Sequence, residues 1–311
     1  MPTTIAARPC RTAHVADDSP GPRNNARTDR GRSRFQAAAS VYRAVVDHDD
    51  IDALTACAES LIDSWRSTHD DSFRMRRRNR SATEGQFAVI FGLSSHVHNV
   101  AAELLPACRR GLTVVELPLI RVAYESAISA QWVAQVDDGV NALYNEEIRQ
   151  RRNLQRTLLK SVSTVFREGA ESLTHTQNAP LESESSARAF EQRCLDLSPG
   201  GSDAYSLYRI LSMASHATLD LCDEYLQEDA QGVLHLVPEG QRRRDAAAWT
   251  SILCSSLVWA GRAVDYFDDH HRRRSELRRV ARDLGISSEL QLSDHYRTRI
   301  AQLRQQVRGM T

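Results

Sequence analysis

Lysine is almost missing from this chain: Lys160 is the single one among 40 basic residues, and the rest are arginine. The bias, with the alanine richness, points to a GC-rich bacterial genome. Net charge is missing too. The 40 basic residues face 40 acids, which excludes a global field that would recruit nucleic acid or a membrane surface. No CxxC pair occurs. Cys10, Cys57, Cys108, Cys194, Cys222 and Cys254 lie far apart, which excludes a disulfide scaffold and a zinc-finger site and predicts reduced thiols in the cytoplasm. No run is long enough to cross a bilayer. The longest uncharged stretch, Ala246 to Gly261, has 16 residues with four hydroxyls inside it, where a span needs about 20 mostly apolar residues. No membrane partner is expected. Also absent are a phosphate-cradling Gly-rich loop, a GxSxG elbow, an HExxH or ExxH pair, and a Cys–His nucleophile constellation. No cofactor and no resident metal are expected.

What is present is helical. Strand alternation is nearly absent, and apolar residues recur at three and four. The expected class is all-α, a multi-helix bundle behind a disordered N-terminal tail. At 311 residues and 41% hydrophobic, the chain can bury a sizeable core. Three parts are expected: a tail over 1–33, a bundle over 34–271, and C-terminal amphipathic helices over 272–311. The tail is rich in Arg, Pro, Ser and Asp and has no apolar stripe.

Helices are predicted from Phe35 to Val46 and from Ile51 to Trp65, the second capped by acids at 47–50. Arg74 to Arg80, RMRRRNR, reads as a solvated basic face. Ser81 and Glu84 are spaced as a capping box for a helix to about Ala107, with Val89, Leu93, Val97, Val100 and Leu104 inward and His96, Asn99 and Glu103 in a second stripe. Thr113 and Glu116 repeat the capping-box spacing before the most apolar helix. Val140 to Arg167 is predicted as one long helix. Residues 169–186 are predicted as a loop, Ala187 to Leu195 as a short helix, Asp203 to Leu226 as one helix, and Val233–Val237 as a short extended piece. Ala246 to Asp268 is predicted as a buried helix, followed by charged helices over 272–284 and 288–308.

The chain is organised around Glu116 to Val136, ELPLIRVAYESAISAQWVAQV. Leu117, Arg121, Glu125, Ile128, Trp132 and Gln135 share one face, and Val122, Ala123, Ala127, Ala130, Val133 and Ala134 fill the other. A helix apolar on nearly every side is expected to be enclosed, so Arg121 and Glu125 need partners. In the helix predicted from Asp203, seven residues turn about 700°, which sets Arg209 and His216 on one face with Ser212. Three polar stripes, His96/Asn99/Glu103, Arg121/Glu125 and Arg209/Ser212/His216, are expected to meet in the bundle. Such a network can fix helix register. A metal site from His96, Glu103, Glu125 and His216 is the remaining chemistry these residues allow.

Roughly residues 85 to 270, with RVAYESAISAQW, then YRILSMASHAT, then a loop holding Pro238, resemble uncharacterised bacterial helical proteins whose domain has no assigned function. Within that span, Arg209-x6-His216 is similar to the signature of HEPN-superfamily ribonucleases. The resemblance implies a homodimer and a metal-independent RNA-cleaving site. Arg209 would hold the scissile phosphate and His216 would move a proton during 2′-hydroxyl attack. Arg121 and Glu125, from the stripe expected to meet them, are the further candidate site residues. One departure is that HEPN nucleases commonly carry a polar residue after the arginine, where this chain has Ile210. The alternative is a non-enzymatic interaction or regulatory protein whose Arg121/Glu125/Arg209/His216 network is structural.

Overall fold

A computed structural model describes residues 50–68, 84–172, 181–242 and 245–310. The expected tail, the Phe35–Val46 helix, the arginine run at 74–80 and the Ser81 cap lie outside the described residues. Among those described the fold is all-α: twelve helices and four strands of two or three residues. No helix among them is long and apolar enough to cross a membrane.

Four helices make the core: α1 (Ile51–Thr68), α2 (Glu84–Arg110), α3 (Leu117–Gln135) and α10 (Ala246–Asp265). α1 starts where the Asp50 carboxylate accepts from the backbone N–H groups of Asp52 and Ala53, both at 3.0 Å, which satisfies orphan donors of the first turn. It buries the helically spaced stripe Leu54, Ala58, Leu61, Ile62 and Trp65. On α2 the buried line is Ile90, Ser94, Val97, Val100, Ala101, Leu104 and Cys108; it keeps the predicted Val97, Val100 and Leu104 and adds Ser94 and Ala101, while Val89 and Leu93 are half-buried against the core. Small residues decide the difference. Ser94 and Ala101 let α10 approach, and the Ser94 hydroxyl donates to the Ala260 carbonyl at 2.9 Å. His96, Asn99 and Glu103 are exposed, so that stripe faces solvent and not the bundle interior. His98 is the buried histidine, its ring stacked on Trp65 at 4.0 Å.

The Thr113–Glu116 box forms: the Glu116 carboxylate accepts from the Thr113 N–H at 2.7 Å, and the Thr113 hydroxyl from the Val115 N–H at 3.3 Å. It opens a 3-10 turn, Val114–Glu116, that leads into α3. Between Ala127 and Ala134 every α3 residue is buried. Its N-terminal half is not enclosed on all sides, since Leu119 and Val122 reach solvent. α10 is buried from Trp249 to Asp265 except at Trp259. Gly261 permits its contact with α11 (Arg274–Asp283), because a Cβ there would stand 3.0 Å from Leu277 Cδ2.

The predicted helix Val140–Arg167 is two, α4 (Gly139–Leu158) and α5 (Thr164–Glu171). Val162 is 97% exposed at the break. Two short helices follow, α6 (Glu184–Arg188) and α7 (Phe190–Leu195), then β1 (Leu197–Ser198), α8 (Gly201–Met213) and α9 (Leu219–Asp223). The predicted single helix Asp203–Leu226 breaks because Thr218 caps a new one, its hydroxyl accepting from the Leu221 N–H at 3.2 Å. β2 (Leu226–Glu228) and β3 (Leu234–Leu236) form an antiparallel hairpin, and β1 pairs antiparallel with β4 (Gln291–Leu292). That pairing brings α12 (Asp294–Met310) beside α6 and α7.

Candidate functional site

The open half of α3 lies under α7 and α8, where the Tyr124 hydroxyl donates to the Ala204 carbonyl at 3.1 Å. One turn earlier, Arg121 Nη2 donates to the Tyr208 hydroxyl at 2.6 Å, and its guanidinium carbon is 4.8 Å from the Tyr208 ring centre. Glu125 stands 3.8 Å from Arg121 Nη2 and 3.8 Å from Arg193 Nη2. Arg193 also donates to the Ser129 hydroxyl at 2.9 Å and lies over Phe190, whose ring is 4.4 Å from that of Tyr208. Burial pushes the Arg193 guanidinium pKa down, and the Glu125 charge opposes this. The partners that the charges of α3 required are therefore Tyr208 and Arg193. Neither stood out in a chain with so many arginines. Side-chain exposures of 24% for Arg121 and 33% for Glu125 make this a half-buried pair, whose disruption costs less than that of an enclosed one.

Arg209 and His216 lie elsewhere. Arg209 is exposed, and Tyr205, one turn back on its own helix, raises its pKa. α8 ends at Met213, so His216 sits in the turn before α9, exposed. The shared-face geometry required a continuous helix, and the chain breaks between the two residues. Of the four predicted site residues the fold joins Arg121 and Glu125, with Tyr208 and Arg193 in place of Arg209 and His216. Among the described residues no three His, Cys, Asp or Glu side chains gather as a metal-ion ligand set.

Two charged hubs escaped the sequence reading. Asp196 is fully buried and accepts from Trp132 Nε1 (3.1 Å), Ser186 Oγ (2.6 Å), Gln192 Nε2 (3.1 Å) and Arg299 Nη2 (2.9 Å). It ties α3, α6, α7 and α12 together. Arg262, 1% exposed, pairs with Asp265 and Glu289. Burial raises the Asp265 pKa against the pull of Arg262. An i, i+3 Arg–Asp spacing flags the second hub, whereas only folding brings Trp132 to Asp196.

Glu125 and Arg193 also wall a cavity of about 630 Å³ between α3, α4 and α6–α7, which Tyr144, Glu146, Glu147 and Arg188 line from the other sides. Glu146 is engaged by Arg149 (2.5 and 2.6 Å) and Gln150 (2.6 Å), and Glu147 by Arg151 (2.8 Å). Burial would raise the Glu146 pKa, but these hydrogen bonds outweigh it and hold the carboxyl below its ordinary range. Compared with protein-family models, with curated proteins and with solved structures, the chain matches none.

Proposed function

We propose that this chain is a non-enzymatic interaction or regulatory protein in which Arg121, Glu125, Arg193 and Tyr208 hold the α7–α8 segment on the four-helix core. The observation that carries this reading is where the polar groups close. These four side chains contact one another across three helices, while Arg209 and His216 stand in solvent outside them. An RNA-cleaving centre needs a proton-transfer group and a phosphate clamp converging on one phosphate. Within one protomer Arg209 is exposed on α8 and His216 is exposed beyond the end of that helix. The free thiols among the described residues fit a reducing compartment such as the cytoplasm.

A second reading, the HEPN-like ribonuclease, is favoured by the exposure of both Arg209 and His216, which a site completed by a second protomer would need. One experiment separates the readings. The purified full-length chain, its oligomeric state set by light scattering, is incubated with single-stranded RNA with and without EDTA, beside His216→Ala. The non-enzymatic reading predicts intact RNA throughout and unchanged melting for the variant. EDTA-resistant cleavage that disappears in His216→Ala would overturn it.

A further inference from the structure

The cavity beside the network has an unusual inventory of unmet polar groups. Glu146 and Glu147 are engaged by side chains of their own helix. Three groups keep spare capacity. Arg193 is 13% exposed, and its Nη2 stands 3.8 Å from the Glu125 carboxylate, beyond hydrogen-bond reach. Arg188 is 56% exposed, and its nearest acid is Glu146 at 3.9 Å. The Glu125 carboxylate has guanidinium nitrogens only at 3.8 Å, too far for a hydrogen bond. The rest of the wall includes Val89, Val140 and Leu143, with the Tyr144 ring.

A ligand that fits must bring an acceptor for two guanidinium groups and a donor for one carboxylate, held side by side, on an apolar body. Polar groups that converge beside an apolar wall are what orient small ligands. We infer that this cavity is a binding site for an α-amino acid with an apolar side chain, its carboxylate on Arg193 and Arg188 and its ammonium on Glu125. An α-amino acid carries those two charges on one carbon, which matches a guanidinium and a carboxylate 3.8 Å apart. Its side chain lies along Val89, Val140, Leu143 and Tyr144. Three carboxylates face two guanidinium groups around the cavity, so phosphate esters and dicarboxylates are disfavoured. The inference extends the regulatory reading by giving it a small-molecule effector that is held and not turned over.

The test is calorimetric titration of the full-length chain with L-leucine and L-phenylalanine, beside 4-methylpentanoate and 3-methylbutylamine, which each keep one charge of leucine. The expected result is saturable binding of at least one amino acid, with both single-charge analogues at least about tenfold weaker. Arg188→Ala and Glu125→Gln should each weaken binding by a similar factor. Arg188 is largely exposed, so its replacement reports on the ligand and not on folding. Absence of amino-acid binding, analogues that bind as well, or unchanged affinity in both variants would each overturn the inference. RNA cleavage in the separate assay would contradict the non-enzymatic reading and leave this titration standing.

Discussion

Asp196→Ala is the perturbation whose size follows most directly from the structure. The carboxylate is fully buried and accepts from four side chains on α3, α6, α7 and α12. Its removal leaves the Arg299 guanidinium with only the Ser185 and Ser186 hydroxyls, and takes this acceptor from the Trp132 indole and the Ser186 hydroxyl. Breaking a buried charge pair costs about 3–5 kcal/mol, and each stranded neutral donor adds about 1–3 kcal/mol. Arg299 is 17% exposed and can turn partly to water, which lowers the first figure. A loss of about 3–5 kcal/mol in all is expected, a large part of the 5–15 kcal/mol typical of a folded domain. Urea unfolding followed by tryptophan fluorescence measures it, because Trp132 is itself one of the donors. Arg299→Met alone should cost less, since its hydrocarbon stem is kept. The double variant should cost clearly less than the sum of the singles, because the two groups share one interaction. Two small, additive effects would refute the hub.

Acid should weaken the fold. Glu146, Asp268 and Glu289 are each pushed up by burial, yet hydrogen bonds and nearby arginines outweigh this and hold them below the ordinary carboxylate range. Their stabilisation is complete above the unfolded values and is lost as pH falls through the folded ones. Asp265, raised by burial, favours the native state at low pH and loses that contribution as pH rises. With Asp229, which His235 holds below its ordinary range, four groups oppose one, so melting temperature should fall between about pH 5 and pH 3, and a rise would refute this balance. Among the thiols, Cys57 is half-buried with its pKa lowered by a hydrogen bond from Cys254, whereas burial pushes Cys194 up to about 12. Iodoacetamide at about pH 8 should therefore alkylate Cys57 well before Cys194, with peptide mass mapping as the readout.

Much of the core was legible because helical period and burial coincide there. The α1 stripe, the enclosed α10 and the Thr113/Glu116 box all stand in the sequence as they stand in the fold. On α2, Val97, Val100 and Leu104 lie inward as read, but Ser94 and Ala101 were missed because size as well as hydrophobicity sets which side approaches closest, and Ser94 scores as polar. Helix breaks at 159–163 and after Met213 escaped because no Gly or Pro marks them. Thr218 acts as a cap only in the structure. For the site, the need of Arg121 and Glu125 for partners was readable from their apolar surroundings. The identity of those partners was not. Tyr208 and Arg193 reach α3 through the packing of α7 and α8, a long-range arrangement that local pattern does not encode.

In the proposed reading the polar network is structural, and Arg209 and His216 form no catalytic pair within one protomer. Urea unfolding of Tyr208→Phe beside His216→Ala tests it most directly. Tyr208→Phe removes one hydroxyl, the acceptor 2.6 Å from Arg121. Hydrogen bonds to charged groups contribute about 1.5–3 kcal/mol, and the partial exposure of Arg121 reduces this to about 1–2 kcal/mol. His216 is exposed, so its replacement should change stability by no more than about 0.5 kcal/mol. A neutral Tyr208→Phe, or a strongly destabilising His216→Ala, would contradict the account.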